Sequence, residues 1–446
     1  MKKTLFLVLL LCAVSLQAQT PDGAMDYRRN AIATMMVFHS EDEFGGEIYN
    51  AFASIPVPDK YDDHNVDMRV VCNDSICGVQ KQRTGLIKAE YGKVLSKAEV
   101  LKNAQALEDY LNNFQCAKLM VAKWFRLPLF QDDSLRRDNM SFSTELIQQR
   151  GQYNATDVDV NLALQSARGL AMLSDAGEEL LGNTFMLVND ITYVTAEEQA
   201  AVAKAVVGVL GAVFDAFTGG NTGENISNLT NDIADSYTGF KVKTHSYLYQ
   251  LDWNDSVAAV FYNNYYTETA EPDKLMAFLR DTATFRMKYV AHEYEYDGKS
   301  ALVGTYTREE LVRMACTRSM DKNIAALQAQ YEDFKVKTPV YSVLTNGNGR
   351  PVGYTAKIGM KEGITEKSKF QAVQRIFNPE TQRTTYRYVA TLKPVKGQVW
   401  DNRYNAVTEK AEGSELTYTT FKKLSGGEVL PGMLIIEGKY RKVQEQ

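Results

Sequence analysis

Histidine is scarce in this chain, with only His39, His64, His245 and His292 among 446 residues, and that limits His-based catalysis. Familiar enzyme patterns are missing as well. No G-x-S-x-G sets a serine on a nucleophile elbow, and no G-x-G-x-x-G opens a helix after a strand. The glycine-rich stretch 219–223 lacks the following lysine that meets a phosphate. His292-Glu293 starts like a zincin motif, yet position 296 is Tyr and the segment reads as a strand, so two imidazoles cannot share one helical face. Carboxylates are plentiful, but no pair can be singled out as a glycosidase acid and nucleophile without their separation in space. Beyond the N-terminus no apolar run is long enough to cross a bilayer.

The first residues, Met1-Lys2-Lys3, an apolar run from Leu5 to Leu16, and Gln17-Ala18-Gln19, read as a secretory signal peptide cut after Ala18. Cys12 does not make it a lipoprotein signal, because Leu11 is bulky where a small residue is needed. The expected product is an exported, soluble protein with Cys72, Cys77, Cys116 and Cys316. Cys72 and Cys77 flank a four-residue loop read as a hairpin between 66–71 and 78–82, so a disulfide across its base is reasonable. Cys116 and Cys316 either pair or stay free.

Residues 157–253 organise the chain. A helix over 157–181 leads to the apolar strand 184–194, and a second strand, 240–253, is expected to pair with it in the main sheet. Between them, 195–239 reads as a helical hairpin insertion. Thr195 and Glu198 form a capping box. Val202, Val206, Val209, Val213 and Phe217 give one bulky stripe, while Ala201, Ala205, Gly208, Ala212 and Ala216 give a small-residue face that lets another backbone approach closely. A bilayer span is not expected, since Lys204 and Asp215 bracket about 15 Å of helix against a core of about 30 Å. The small face is either packed within its own domain or an interaction surface.

Before this stretch the chain reads as a strand at 31–38, a helix over 42–55, a carboxylate-rich loop, an amphipathic helix over 96–113 capped by Ser96, and a strand at 117–125. Asp59, Asp62, Asp63 and His64 in that loop either hold a metal or, more commonly for such runs, hydrogen-bond local backbone. After Trp253 come a turn at 254–256, a strand at 257–266, a short helix from Pro272, a strand at 285–296, and a helix over 307–333 with a second capping box, Thr307 and Glu310. From Phe334 the pattern changes to short strands between turns, which reads as a small barrel or sandwich over 334–446.

The fold class expected is therefore α+β: a mixed or antiparallel sheet with packed helices over 19–333, then a small all-β unit. Charge divides unevenly, because 335–446 hold 19 Lys and Arg against 10 Asp and Glu in an otherwise acidic chain. Such a module either meets an anionic surface polymer or simply attracts the acidic body. Nucleic acid is not an expected partner for an exported protein without an aromatic-rich recognition motif. Trp124, Trp253 and Trp400 with 25 tyrosines could form a sugar platform, although aromatics in strands are usually core.

Three phrases, Ile55-Pro56-Val57-Pro58-Asp59-Lys60-Tyr61 with His64, Arg150-Gly151-Gln152-Tyr153-Asn154-Ala155-Thr156-Asp157, and Trp400-Asp401-Asn402-Arg403, resemble a group of uncharacterised exported proteins of Bacteroidota. The resemblance implies a periplasmic or outer-membrane-associated setting and carries over no functional residue. In such bacteria Asp74-Ser75-Ile76 and Asp255-Ser256-Val257 match a short O-glycosylation pattern. The reading at this level is a non-enzymatic envelope protein that binds a partner or self-associates, without cofactor or metal. The second reading is a carbohydrate-binding or glycan-hydrolysing protein.

Overall fold

A computed structural model describes the chain from Asn30 to Gly438 except residues 40–41, 59, 67, 73–84, 89, 128–140, 155–178, 196–197, 199–236, 303–305, 379–382 and 404–415. Two sheets carry the architecture. The first is mixed and six-stranded, with β1 (Asn30–Phe38) between two short parallel strands on one side, β2 (Tyr61–Asp63) and β3 (Val70–Cys72), and β4 (Thr184–Thr195) on the other. β4 then pairs antiparallel with β5 (Tyr237–Leu251), and β5 with the outermost strand β6 (Met287–Leu302). The expected pairing of the two central strands is thus observed, from Phe185↔Gln250 to Thr195↔Phe240. Both strands are buried along most of their described length because both faces of the sheet are covered.

Alternation assigns each residue to a face. Ala31, Ala33, Met35 and Val37 of β1 meet α2 (Lys97–Asn113), α3 (Cys116–Trp124), α5 (Asp255–Asn264) and α6 (Pro272–Arg280). α4 (Glu145–Asn154) adds Ile147 to that core. The opposite face, with Met36 and Ile191, packs on α1 (Gly45–Ala53) and α7 (Arg308–Gln330). Ser96 and Thr307 cap α2 and α7 through the reciprocal bonds to Glu99 and Glu310 that their spacing predicts.

Two segments read as strands are helices. Residues 117–125 alternate in sequence, but Cys116, Ala117, Met120, Val121 and Trp124 are buried at helical spacing in α3. Lys118 also points inward, donating to the carbonyls of Leu279 at 2.9 Å and Asp281 at 2.7 Å, so the alternation was no guide to burial. Residues 257–266 belong largely to α5: Asn254 accepts from the amides of Ser256 and Val257, so a turn signal was in fact a helix cap. The aromatics that suggested a strand, Phe261, Tyr262, Tyr265 and Tyr266, instead build a cluster of edge-to-face and tilted rings with Phe125, Phe142, Phe278 and Phe285.

The second sheet is a curled antiparallel half-barrel of seven strands, in the order β7 (Lys337–Pro339), β13 (Leu434–Glu437), β10 (Phe370–Asn378), β11 (Arg383–Pro394), β12 (Thr419–Gly426), β9 (Pro351–Ala356) and β8 (Ser342–Thr345). Its core holds Phe370, Phe421, Leu392 and Ile435. It rests on α7 through the turn 360–363, where Lys361 lies 3.9 Å from Asp321 and the Gly363 backbone packs on Ala325. The four-residue turn Asn346–Gly349 joins β8 to β9, with the Asn346 side chain accepting from two amides. Among the described residues no helix is long and apolar enough to cross a membrane.

Candidate functional site

The candidate residues read from the sequence have different fates. Cys72 ends β3, which pairs parallel with β1 instead of forming the described part of a hairpin, and Cys77 lies outside the described residues. Cys116 and Cys316 are both free and buried, on helices against opposite faces of the first sheet, so the sheet itself keeps them apart. Burial pushes both thiols up to about 12. The small-residue face Ala201, Ala205, Gly208, Ala212 and Ala216 lies outside the described residues. Only its start is described: Glu198 accepts from the Thr195 amide at 2.7 Å, and Thr195 Oγ1 accepts from the Glu198 amide at 3.0 Å, which is the expected capping box.

The carboxylate-rich loop is pulled in different directions. Asp62 Oδ1 lies 2.8 Å from the Arg150 guanidinium, Asp63 accepts from the Asn65 amide, and His64 Nε2 turns inward to Met120 O at 2.9 Å. Asp59 lies outside the described residues. Described residues of the three quoted phrases, Tyr61, His64, Arg150 and Asn402, make contacts within the fold. Asn402 accepts from the Lys361 amide and donates to Glu362, fixing the turn that reaches α7.

The structure assembles a constellation that sequence reading missed. Three of the four histidines gather with Asp190 at one end of the first sheet, on the face of α2. His39, just past β1, places Nε2 2.8 Å from Asp190 Oδ1 on β4. Asp190 stands beside His245 in the β4–β5 register, and His245 Nδ1 lies 2.9 Å from His292 Nε2 on β6. The rings of His245, His292 and Tyr294 stack, with centroids 5.1 and 5.2 Å from His245. Lys243, fully buried, hydrogen-bonds the Lys93 carbonyl and lies over the rings of Tyr294 and Tyr296 at 4.9 and 5.1 Å.

The histidines respond to this setting with opposite signs. Burial pulls the His39 imidazole down, but the hydrogen bond and charge of Asp190 outweigh it and leave it raised above the usual imidazole value. His245 is lowered to about 4, chiefly by burial and further by Lys243, against a raising pull from Asp190. His292 is lowered to about 3 by burial, His245 and Lys243. One neutral imidazole therefore donates to the other. His39, Asp190 and His245 are 3%, 1% and 0% exposed, which leaves no room for a substrate against them. No three His, Cys, Asp or Glu side chains among the described residues are placed to hold a metal.

The opposite face carries its own polar network. Ser246 donates to Asn189 at 2.7 Å, Asn323 of α7 donates to Ser246 and to the Thr244 carbonyl at 2.8 Å each, and Thr244 meets Ser319 at 2.6 Å. These bonds fix the rotation of α7 on the sheet. The signal for both networks was present as polar residues inside apolar strands, Asn189-Asp190 above all. Nothing in the linear sequence showed that they converge.

A cleft lies where α7 meets the half-barrel, floored by Phe52, Ile55, Val57, Met320 and Ile324 with Asp321 and Lys361 at its polar side. The tryptophans do not form an exposed platform: Trp124 is buried and donates to Thr184 at 2.9 Å, and Trp253 and Trp400 are half-buried. No protein-family model matches the chain, and no curated protein matches it.

Proposed function

We propose that the protein is exported to the cell envelope and acts there by binding a partner, with the basic half-barrel as the surface that meets an anionic polymer. One observation carries the reading. Lys393 of β11 and Lys422 of β12 are directly opposite in the register, and neither makes an ion pair among the described residues. Like charges facing across an antiparallel pair are destabilising by themselves and become favourable when an anion bridges them. Exposed Lys396 adds a further cation just past the end of β11. Two further points favour binding over catalysis. His39, His64 and His245 are buried, and burial raises the buried Cys116 and Cys316 thiols to about 12.

The test is retention of the mature protein on an immobilised anionic polysaccharide such as polygalacturonate, with a neutral dextran as control. Retention that weakens steeply between about 50 and about 300 mM salt, as screening of lysine–carboxylate attraction requires, and that falls in Lys393→Glu with Lys422→Glu, supports the reading. Retention equal on both matrices, or indifferent to the double substitution, removes it.

A further inference from the structure

The outermost strand of the first sheet, β6, is sixteen residues long and, among the described residues, pairs on one side only. Such an edge presents backbone donors and acceptors to any extended chain. Its first residues are already occupied. Asn112 of α2 donates to the Met287 carbonyl at 3.0 Å and accepts from the Met287 amide at 2.8 Å, and Glu108 accepts from the Tyr289 amide at 2.8 Å. Past the bulge near Tyr289 the occupation changes. The Tyr296 carbonyl turns away from β5 and receives Lys322 at 3.0 Å, so by strand alternation the backbone groups of His292 and Tyr294 turn the same way. Those groups meet no partner among the described residues, and 292–295 are half-buried with Tyr296 exposed.

Side chains flanking this stretch define what fits beside it. His292, Tyr294 and Tyr296 line the face shared with Lys243. Glu293, Glu295 and Asp297 line the other, where Glu293 meets Gln330 and Asp297 meets Arg318 and Lys322 of α7. A second copy of β6 is disfavoured by this pattern. Antiparallel pairing centred on Tyr294 sets Glu293 against Glu295 twice, and shifting the centre by one residue sets Glu293 against Glu293 or Glu295 against Glu295.

We propose that the 292–296 edge of β6 is a strand-addition site for an extended segment with Lys or Arg at alternate positions and apolar residues between them. Backbone hydrogen bonds to His292 and Tyr294 hold the segment, its cations lie beside Glu293 and Glu295, and its apolar residues lie against Tyr294 and Tyr296. This site is separate from the cationic end of the half-barrel and selects the opposite charge.

The experiment uses the full mature protein with two fluorescein-labelled octapeptides, one alternating lysine and valine, the other alternating glutamate and valine. The lysine peptide is expected to bind saturably, to protect the amides of His292 and Tyr294 from hydrogen exchange, and to lose roughly tenfold in affinity in Glu295→Lys. The same variant is expected to gain affinity for the glutamate peptide, an exchange that a folding defect would not produce. Equal binding of both peptides, protection elsewhere only, no saturable binding at millimolar peptide, or an unliganded dimer that protects these same amides would each overturn the proposal. Polysaccharide retention is measured in parallel and is unaffected by Glu295→Lys, so the two sites fail separately.

Discussion

His64 lies flat on Trp124, with ring centroids 4.7 Å apart and planes 23° from parallel, while its Nε2 sits 2.9 Å from the Met120 carbonyl. Burial, with lesser contributions from Lys123 and Arg150, lowers this imidazole to about 3 against the backbone bond that raises it. The ring is thus held neutral inside the fold.

Acid should therefore weaken the protein before its carboxylates titrate. A histidine lowered on folding binds fewer protons than in the unfolded chain, so its contribution is complete above pH 6.5 and is lost as pH falls toward the folded value. For His64 the loss by pH 4 is about 3 kcal/mol. His245 and His292, lowered to about 4 and about 3, act in the same direction. His39 acts in the opposite one: its raised value contributes below pH 6.5 and is lost as pH rises through the folded pKa. Urea denaturation at pH 7 and pH 4.5 should show a net fall, and His64→Gln should flatten it. An unchanged slope in that variant counts against the account.

Asn112 plugs the near end of the β6 edge with both atoms of its amide. Asn112→Ala leaves a buried amide and carbonyl of Met287 without partners and should cost about 2–4 kcal/mol. Denaturant midpoints measure this. Asn112→Asp should be intermediate, because a carboxylate keeps the acceptor and loses the donor.

Gly359 meets the Trp400 carbonyl and the Asn402 side chain so closely that an added Cβ cannot fit without moving them. Gly359→Ala should lower the stability of the half-barrel by about 1–3 kcal/mol, the usual cost of overpacking. Asn402→Ala should be milder, since it removes the bonds to Lys361 and Glu362 without a clash. Tryptophan fluorescence against denaturant separates the two.

Cys116 and Cys316 should resist iodoacetamide in the folded protein and react once it is unfolded, because burial both shields the thiols and raises them to about 12. If Cys72 and Cys77 are joined, unfolded non-reduced protein produced from Gln19 onward carries two alkylated cysteines by mass spectrometry. Four labels would remove that disulfide.

Much of the fold was legible because it is written locally. Ser96 with Glu99 and Thr307 with Glu310 announced helix starts by spacing alone, and Thr195 with Glu198 makes the same reciprocal bonds, since each box satisfies backbone groups within one turn. The long apolar strands β4 and β5 announced their own pairing. α3 and α5 were misread for a common reason. Their residues are set by neighbours far along the chain, by Leu279 and Asp281 around Lys118, and by Phe142, Phe278 and Phe285 around Phe261. Propensity and alternation cannot report neighbours so distant in sequence.

The sequence by itself determined where the capped helices start, the change from helices to strands after Phe334, and the basic charge of that part, because capping, periodicity and charge count are properties of near neighbours. Tertiary structure alone decided that His39, Asp190, His245 and His292 meet, that Cys116 and Cys316 do not, and that β6 is left on the outside. Those outcomes depend on strand order and register, which bring distant residues within hydrogen-bonding range or place a whole sheet between them.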